Sequence, residues 1–338
     1  MNLEESYQEV KPAIVAFVPK FHPVFDPQQP SPEFPPIFGT GIIVADGIVA
    51  TNDHVVRAIG RLPKPPNYPK DLWPVTCILL YLIANKGVAA IKIDVLGVFS
   101  IEKAEMGTSY YGPPKPDIAF VRINMKDLPC AQVEYDPRKI KEGREVATAG
   151  FPMGTDTLTA PGYLHQITPT LQKGIISAIL PFECDNPHAL MINVMTQGGA
   201  SGSPVFLPES GKVIGVLYGG LEDIQKTVNL KSKDKIQNDP STHSHLYKIP
   251  TNVSYVVPSH YIVDLLAKIS KDENFKITES TPSLKKKIEE GNFANRKTGK
   301  GLEYERWDAS IKEKIDRKIK QIIPQEESSA PPLDQRAG

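Results

Sequence analysis

The chain has 338 residues with 39 Lys+Arg against 39 Asp+Glu, so its formal net charge is zero, and nothing in that balance points to nucleic acid or another polyanion. Hydrophobic residues make up 40% of the chain, enough for a sizeable core, and 32 prolines favour short strands and loops over long helices. The 3 cysteines, Cys77, Cys130 and Cys184, are far apart and odd in number, which argues against a disulfide framework.

Residues 1–10, MNLEESYQEV, are acidic and lack the apolar centre of a secretory leader. With the scattered cysteines this makes the cytoplasm the expected compartment. AIVAFVP (13–19) reads as a strand and FDPQQPSPEFPPIF (25–38) as a Pro-rich loop. GTGIIVADGIVATNDHVV (39–56) reads as a hairpin, two β-branched runs joined at Ala45-Asp46-Gly47. The Pro-rich stretch 61–74 reads as an insertion. VTCILLYLIANKGVAAIKIDVLGVFS (75–100) repeats the hairpin pattern around Asn85-Lys86-Gly87, and its apolar run is too short to span a bilayer. DIAFVRIN (117–124), EVATAGFPMG (145–154), LQKGIISAI (171–179), LMINVM (190–195), GSPVFLP (202–208), KVIGVLYGG (212–220) and VSYVVP (253–258) continue as short strands between Gly/Pro turns. Such spacing predicts an all-β antiparallel sandwich or barrel pair. SHYIVDLLAKIS (259–270) closes it as a helix, with Ile262, Leu265, Leu266 and Ile269 on one face and Ser259 able to cap it.

From 271 the chain turns charged and weakly periodic. An amphipathic helix is expected at about 309–323, where Ile311, Ile315, Ile319 and Ile322 share a stripe ahead of Pro324, and the end reads as disordered. That helix is open to self-docking or self-association. The Lys285-Lys286-Lys287 cluster reads as a solvated segment, so no nucleic-acid partner is expected. His243 and His245 are too few for a zinc site, His165 and His188 read as loop residues, and Cys184 reads as a small hydrophobe; no metal or cofactor is expected.

Three residues at strand–loop junctions invite a chemical reading. Ser201, in GGASGSPVF (198–206), sits at the tip of a Gly-rich turn whose backbone N–H groups could face an oxyanion, although an ordinary tight turn looks the same. His54 follows a hairpin strand, where it is either a buried structural histidine or a base. Asp117 opens an alternating strand, as a turn residue or as the group that orients a histidine. Their order, His54, Asp117, Ser201, is that of the chymotrypsin-type triad.

Six segments, in order over residues 10–270, resemble HtrA (Deg)-type proteases of the trypsin fold: GTGIIVADGIVATNDHVV, DIAFVRI, GREVATAGFPMG with LQKGIISAI, GGASGSPVF, GKVIGVLYGG, and VSYVVPSHYIVDLL. The resemblance implies two six-stranded antiparallel β-barrels. Barrel one would span about 10–125, barrel two about 130–258 and the closing helix 259–270, making 1–270 the protease domain and 271–338 a charged, partly helical tail. It implies a serine endopeptidase acting on polypeptides, with Ser201 as nucleophile, His54 as base, Asp117 as its orienter, and an oxyanion hole from the N–H groups of Gly199 and Ser201. The specificity pocket would be formed by Met195, Thr196, Gln197 and Gly198 with Val216, Leu217 and Tyr218. An apolar pocket, with Met195 where trypsin carries an acid, implies cleavage after small or medium aliphatic residues. Ala200 stands where relatives carry Asp or Asn, and Ser203 replaces the usual glycine. No IVGG-like activation site or PDZ domain is recognisable. The alternative is a catalytically weak, protease-like binding or scaffold protein.

Overall fold

The computed structural model describes residues 1–21, 35–65, 68–69, 72–83, 87–101, 115–152, 154, 168–228, 244–272 and 275–291. The expected helix at 309–323 and its isoleucine stripe lie outside the described residues, as do His165, His243 and much of the Pro-rich stretches.

Strands β1 (Ile14–Pro19), β2 (Gly39–Ala45), β3 (Ile48–Thr51), β4 (Val75–Ile83), β5 (Gly87–Ser100) and β6 (Ala119–Ile123) close an antiparallel barrel in the order β1-β2-β3-β6-β5-β4. Strands β7 (Glu145–Gly150), β8 (Thr170–Leu180), β9 (Ala189–Ile192), β10 (Pro204–Phe206), β11 (Val213–Val228) and β12 (Ser244–Pro258) close a second in the same relative order, β7-β8-β9-β12-β11-β10. The pair of barrels is the trypsin-like architecture that the resemblance implied. Closure removes the free edges that open sheets of short strands would expose.

Both hairpins read from the first half of the chain form. β2 and β3 pair from Ile42↔Ala50 to Ala45↔Ile48 around Gly47, and β4 pairs with β5 from Thr76↔Asp94 to Ile83↔Gly87. In barrel one Phe17, Ile43, Val49 and Ile91 share one face of the sheet, with Ile42 and Phe120 on the other, and barrel two clusters Val146, Ile176, Leu190, Val205, Ile214 and Val256, all fully or almost fully buried. In β8 the alternation of Gly174 and Ile176 inward with Lys173, Ile175 and Ser177 outward is the period of a strand wet on one face.

Three features differ from the sequence reading. Residues 3–10 form helix α1 (Leu3–Val10), closed by a capping box in which Asn2 and Glu5 bond each other's backbone N–H groups. Tyr7 ties it to the second barrel, its hydroxyl donating to the Pro169 carbonyl at 2.8 Å. The closing helix forms as α3 (His260–Ile269), but Ser259 does not cap it. Its hydroxyl donates instead to the Glu134 carbonyl at 2.5 Å, fastening the helix to the segment between the barrels. Finally, residues 275–291, read as the start of a free tail, lie against barrel one. Phe275 meets Phe99 edge to face at 5.7 Å, the Lys126 N–H donates to the Pro282 carbonyl at 2.9 Å, and Leu284, opening the short helix α4 (Leu284–Glu289), is buried in the core. The described part of the folded unit therefore continues past 270.

Candidate active site

His54 lies in the first turn of helix α2 (Asp53–Gly60), directly after β3. Asn52, in the N-cap position, holds extended backbone but makes no side-chain cap bond. Its amide donates across to the Asp117 carbonyl at 2.8 Å. The Asp117 carboxylate grips His54 twice: Oδ1 accepts the His54 backbone N–H at 2.9 Å, and Oδ2 lies 2.6 Å from Nδ1. A carboxylate only accepts, so the ring proton sits on Nδ1 and Nε2 is left as an acceptor. The imidazole remains reachable, with 40% of the side chain exposed against 22% for Asp117.

One residue before His54, the buried Asp53 side chain faces two cations. Lys115 Nζ is 2.9 Å and Arg57 Nε 3.1 Å from its Oδ2, neither aligned as a hydrogen bond, so charge alone holds them. Asn52, Asp53 and His54 thus each attach the start of α2 to the Lys115–Asp117 segment. Sequence reasoning did not find Asn52, Asp53 or Lys115. TND before His54 and KPD at 115–117 were visible, but not that they meet.

Ser201 follows a tight turn closed by the Ala200 N–H donating to the Gln197 carbonyl at 3.1 Å. Gly199 has φ +90°, the third-position signature of a type II turn, and a Cβ there would lie 2.4 Å from the Phe151 carbonyl oxygen. Gly202, φ +91°, is equally confined: a Cβ would meet the Thr40 carbonyl oxygen at 1.8 Å and Thr51 Oγ1 at 2.4 Å. Glycine is required at both places, for backbone and for space. Thr51 ends β3, three residues before His54, so the strand leading into the histidine abuts the turn carrying the serine. Ser203, where the family's usual pattern has glycine, is accommodated because its hydroxyl donates to the Ala200 carbonyl at 2.6 Å within the turn.

A cavity of about 330 Å³ opens beside Ser201, lined by Thr196, Gln197, Gly198, Leu217, Gly219, Gly220 and Leu221. Among the described residues, no charged side chain lines it. Thr196 fills the space a side chain at Gly220 would take, and its Oγ1 lies 3.2 Å from the Ser254 hydroxyl, itself buried. Of the expected pocket residues, Thr196, Gln197, Gly198 and Leu217 line the cavity. Met195, 40% exposed, lies outside it, Val216 on β11 is buried in the cluster shared with barrel one, and Tyr218 stacks on Tyr255 at 5.8 Å. Gly219, Gly220 and Leu221 are additions; the glycine pair after VLY was the signal for backbone wall.

The family model described as "trypsin-like peptidase domain" matches residues 39–216, more than half of the chain. The chain belongs to that family. Within the trypsin-like peptidases its curated relatives include proteins named DegP-like periplasmic serine endoproteases. The chain is 29% identical to one from Pseudomonas putida and 31% identical to one from Pseudomonas fluorescens, in both cases over 140 residues, 40% of this chain and 26% of the relative. Another, from Halomonas elongata, is 25% identical over 214 residues, 60% of this chain and 36% of the relative. The chain thus matches about a quarter to a third of these relatives' length. Solved structures of the HtrA-type protease AlgW, with a tripeptide and with a decapeptide, align at 14% and 15% identity with a TM-score of 0.46, covering 80% of this chain and 64% and 68% of those. Fold and family rest on the closed barrels and the family match rather than on that score. The relatives' periplasmic naming overturns the cytoplasmic expectation. That expectation leaned on residues 1–10, which here form part of the fold and say nothing of compartment.

Proposed function

We propose that the protein is a serine endopeptidase with Ser201 as nucleophile, His54 as general base and Asp117 as the group that orients it. One observation carries the reading: the 2.6 Å contact from His54 Nδ1 to Asp117 Oδ2, which turns Nε2 into the acceptor that a serine hydroxyl needs. The family match and the glycine-bounded turn beside an uncharged cavity support it.

Ser201 Oγ attacks the peptide carbonyl while His54 Nε2 takes its proton. The imidazolium is stabilised by Asp117, and the oxyanion by the N–H groups of Gly199 and Ser201. Collapse breaks the C–N bond, His54 returns the proton to the departing amine, and an acyl-enzyme remains on Ser201. Water, deprotonated by His54, repeats the sequence in reverse and frees Ser201.

The cavity offers Leu217 and Leu221, the Thr196 hydroxyl, the Gln197 amide and backbone, with no counter-ion for a cationic side chain among the described residues. Burying an unpaired charge there is costly. Cleavage therefore follows small or medium uncharged residues, aliphatic ones foremost, and a peptide-library profile dominated by Arg or Lys would overturn that preference. The activity itself is tested with a fluorophosphonate probe and a peptide substrate. Wild type should be labelled and cleave, and Ser201→Ala should do neither. A folded wild-type protein that stays unlabelled beside a labelled trypsin-fold control returns the chain to the class of protease-like binding proteins.

A further inference from the structure

We propose that Thr40, on barrel one, is the positioning residue that holds the oxyanion turn of barrel two, taking the place of a side chain at position 200. The proposal rests on the endopeptidase reading above.

Ala200 carries only a methyl group, which is buried and makes no polar contact of its own. A turn closed by one bond from Ala200 to Gln197 leaves its central peptide free to flip to the other turn type, which reverses the direction of an N–H at modest cost. Something must pin it for the Gly199 N–H to face a substrate. Thr40 has every hydrogen-bonding group engaged, and three of its four bonds reach this region. Its N–H donates to the Ser201 carbonyl at 2.7 Å, its hydroxyl donates to the Gly199 carbonyl at 2.7 Å, and the same oxygen accepts the Phe151 N–H at 3.2 Å. The fourth bond, from the Thr51 hydroxyl to the Thr40 carbonyl at 2.7 Å, anchors it to β3.

The directions follow from this pattern. Because Thr40 Oγ1 accepts from Phe151, its own proton is turned toward Gly199. Thr40 holds the 199–200 peptide, which follows the central one, and so opposes a flip that would have to swing Gly199 away from its φ of +90°. The Ser201 N–H lies in the peptide between the two carbonyls that Thr40 holds. Thr40 and Thr51 are fully buried, so no water competes for these bonds. The hole is therefore held from both sides: Ser203 bonds the Ala200 carbonyl at 2.6 Å from within the turn, and Thr40 on the other barrel holds the carbonyls of Gly199 and Ser201 to either side of it.

The test compares Thr40→Val, which keeps the shape and removes the hydroxyl, with Thr40→Ser, which keeps the hydroxyl. Deleting one oxyanion donor outright costs about 10²–10³ in kcat; a turn that is loosened but keeps both donors should lose about tenfold to a hundredfold. The loss should appear in kcat with KM little changed, Thr40→Ser should recover most of it, and both variants should unfold cooperatively above the assay temperature. Affinity for a peptide aldehyde, whose adduct places an oxyanion in the hole, should fall in step with kcat while affinity for the cleaved product peptide holds. Hydrogen exchange at the Ala200 amide, which needs no activity, should quicken in Thr40→Val and return in Thr40→Ser. Should Thr40→Val not fold, Thr40→Cys, with a weak donor of similar shape, carries the same comparison. Unchanged kcat in Thr40→Val, equal loss in Thr40→Ser, or unchanged exchange at Ala200 would each overturn the brace. An inactive wild type would instead strike the endopeptidase reading, and the exchange measurement alone then decides on Thr40.

Discussion

Replacing Lys115 by methionine should separate a contact that organises the site from one that merely decorates a helix. Both Lys115 and Arg57 approach Asp53 Oδ2 at about 3 Å, yet Lys115 joins the Asp117 segment to α2, whereas Arg57 lies on α2 itself. At 2.9 Å and an effective dielectric of about 20, the Lys115–Asp53 attraction is about 6 kcal/mol before desolvation. Asp53 is 4% exposed and Lys115 33%, so burial offsets most of that. Breaking a fully buried pair costs about 3–5 kcal/mol; with Arg57 still facing the orphaned carboxylate, about 2 kcal/mol is expected for Lys115→Met. Arg57, 60% exposed and one helical turn away, should contribute about 0.3–0.5 kcal/mol. Urea denaturation of the two variants beside wild type measures both. Peptide hydrolysis should show the same ranking, with kcat lowered in Lys115→Met because Asp117 is less firmly held, and near normal in Arg57→Met. Equal costs for the two, or a larger one for Arg57→Met, would refute the idea that Asp53 works as a tether between segments.

Asp117→Asn should leave the fold intact and cut turnover by several orders of magnitude, since the amide favours the wrong imidazole tautomer; the trypsin template loses about 10⁴. Unchanged kcat would show that another group orients His54. Leu284→Ala should lower unfolding free energy by about 2–3 kcal/mol, because the side chain is buried under barrel one. Truncation of the chain before Phe275 should be destabilising for the same reason, and a shortened protein as stable as the full one would detach the segment from the domain. His260 is held down to about 4 chiefly by burial, with His188 adding to the shift and Asp264 opposing it. Its folded value lies below the ordinary histidine range, so its contribution is present above about pH 6.5 and is lost as pH falls toward 4, by up to about 3 kcal/mol. His260→Gln should flatten the pH dependence of Tm across that window.

What could be read in the chain was what is local. Asp46-Gly47 announces its hairpin, DIAFVRI its strand, and glycines around Ser201 a turn with no room for side chains. His54 and Asp117 stand out because each lies at a strand–loop junction. Thr40 did not, since a threonine in GTGIIV is an ordinary strand residue until Gly199 and Phe151, more than a hundred positions away, arrive beside it. Met195 was expected in the pocket from counting back along the chain, but the backbone at that point turns its side chain out to solvent and leaves Thr196 facing the cavity. Residues 275–291 are polar enough to pass for a linker; their hold on barrel one comes from Phe275, Leu284 and backbone bonds to Lys126, none of which has a periodic signature. The repeated strand order of the two barrels left no trace in sequence either, since topology constrains which strands pair and not which side chains fill them.

The division of parts between the barrels has a consequence for the chain's own synthesis. The strands of barrel one, with His54 and Asp117 beside them, end at Ile123, while Ser201 and the cavity walls come from residues 196–221. Domains fold in the order they are translated. His54 and Asp117 are therefore made before Ser201, whose turn acquires its bonds to Thr40 only when the second barrel seats on the first. On the endopeptidase reading proposed above, attack on a peptide bond at Ser201 has to wait until the second barrel is in place.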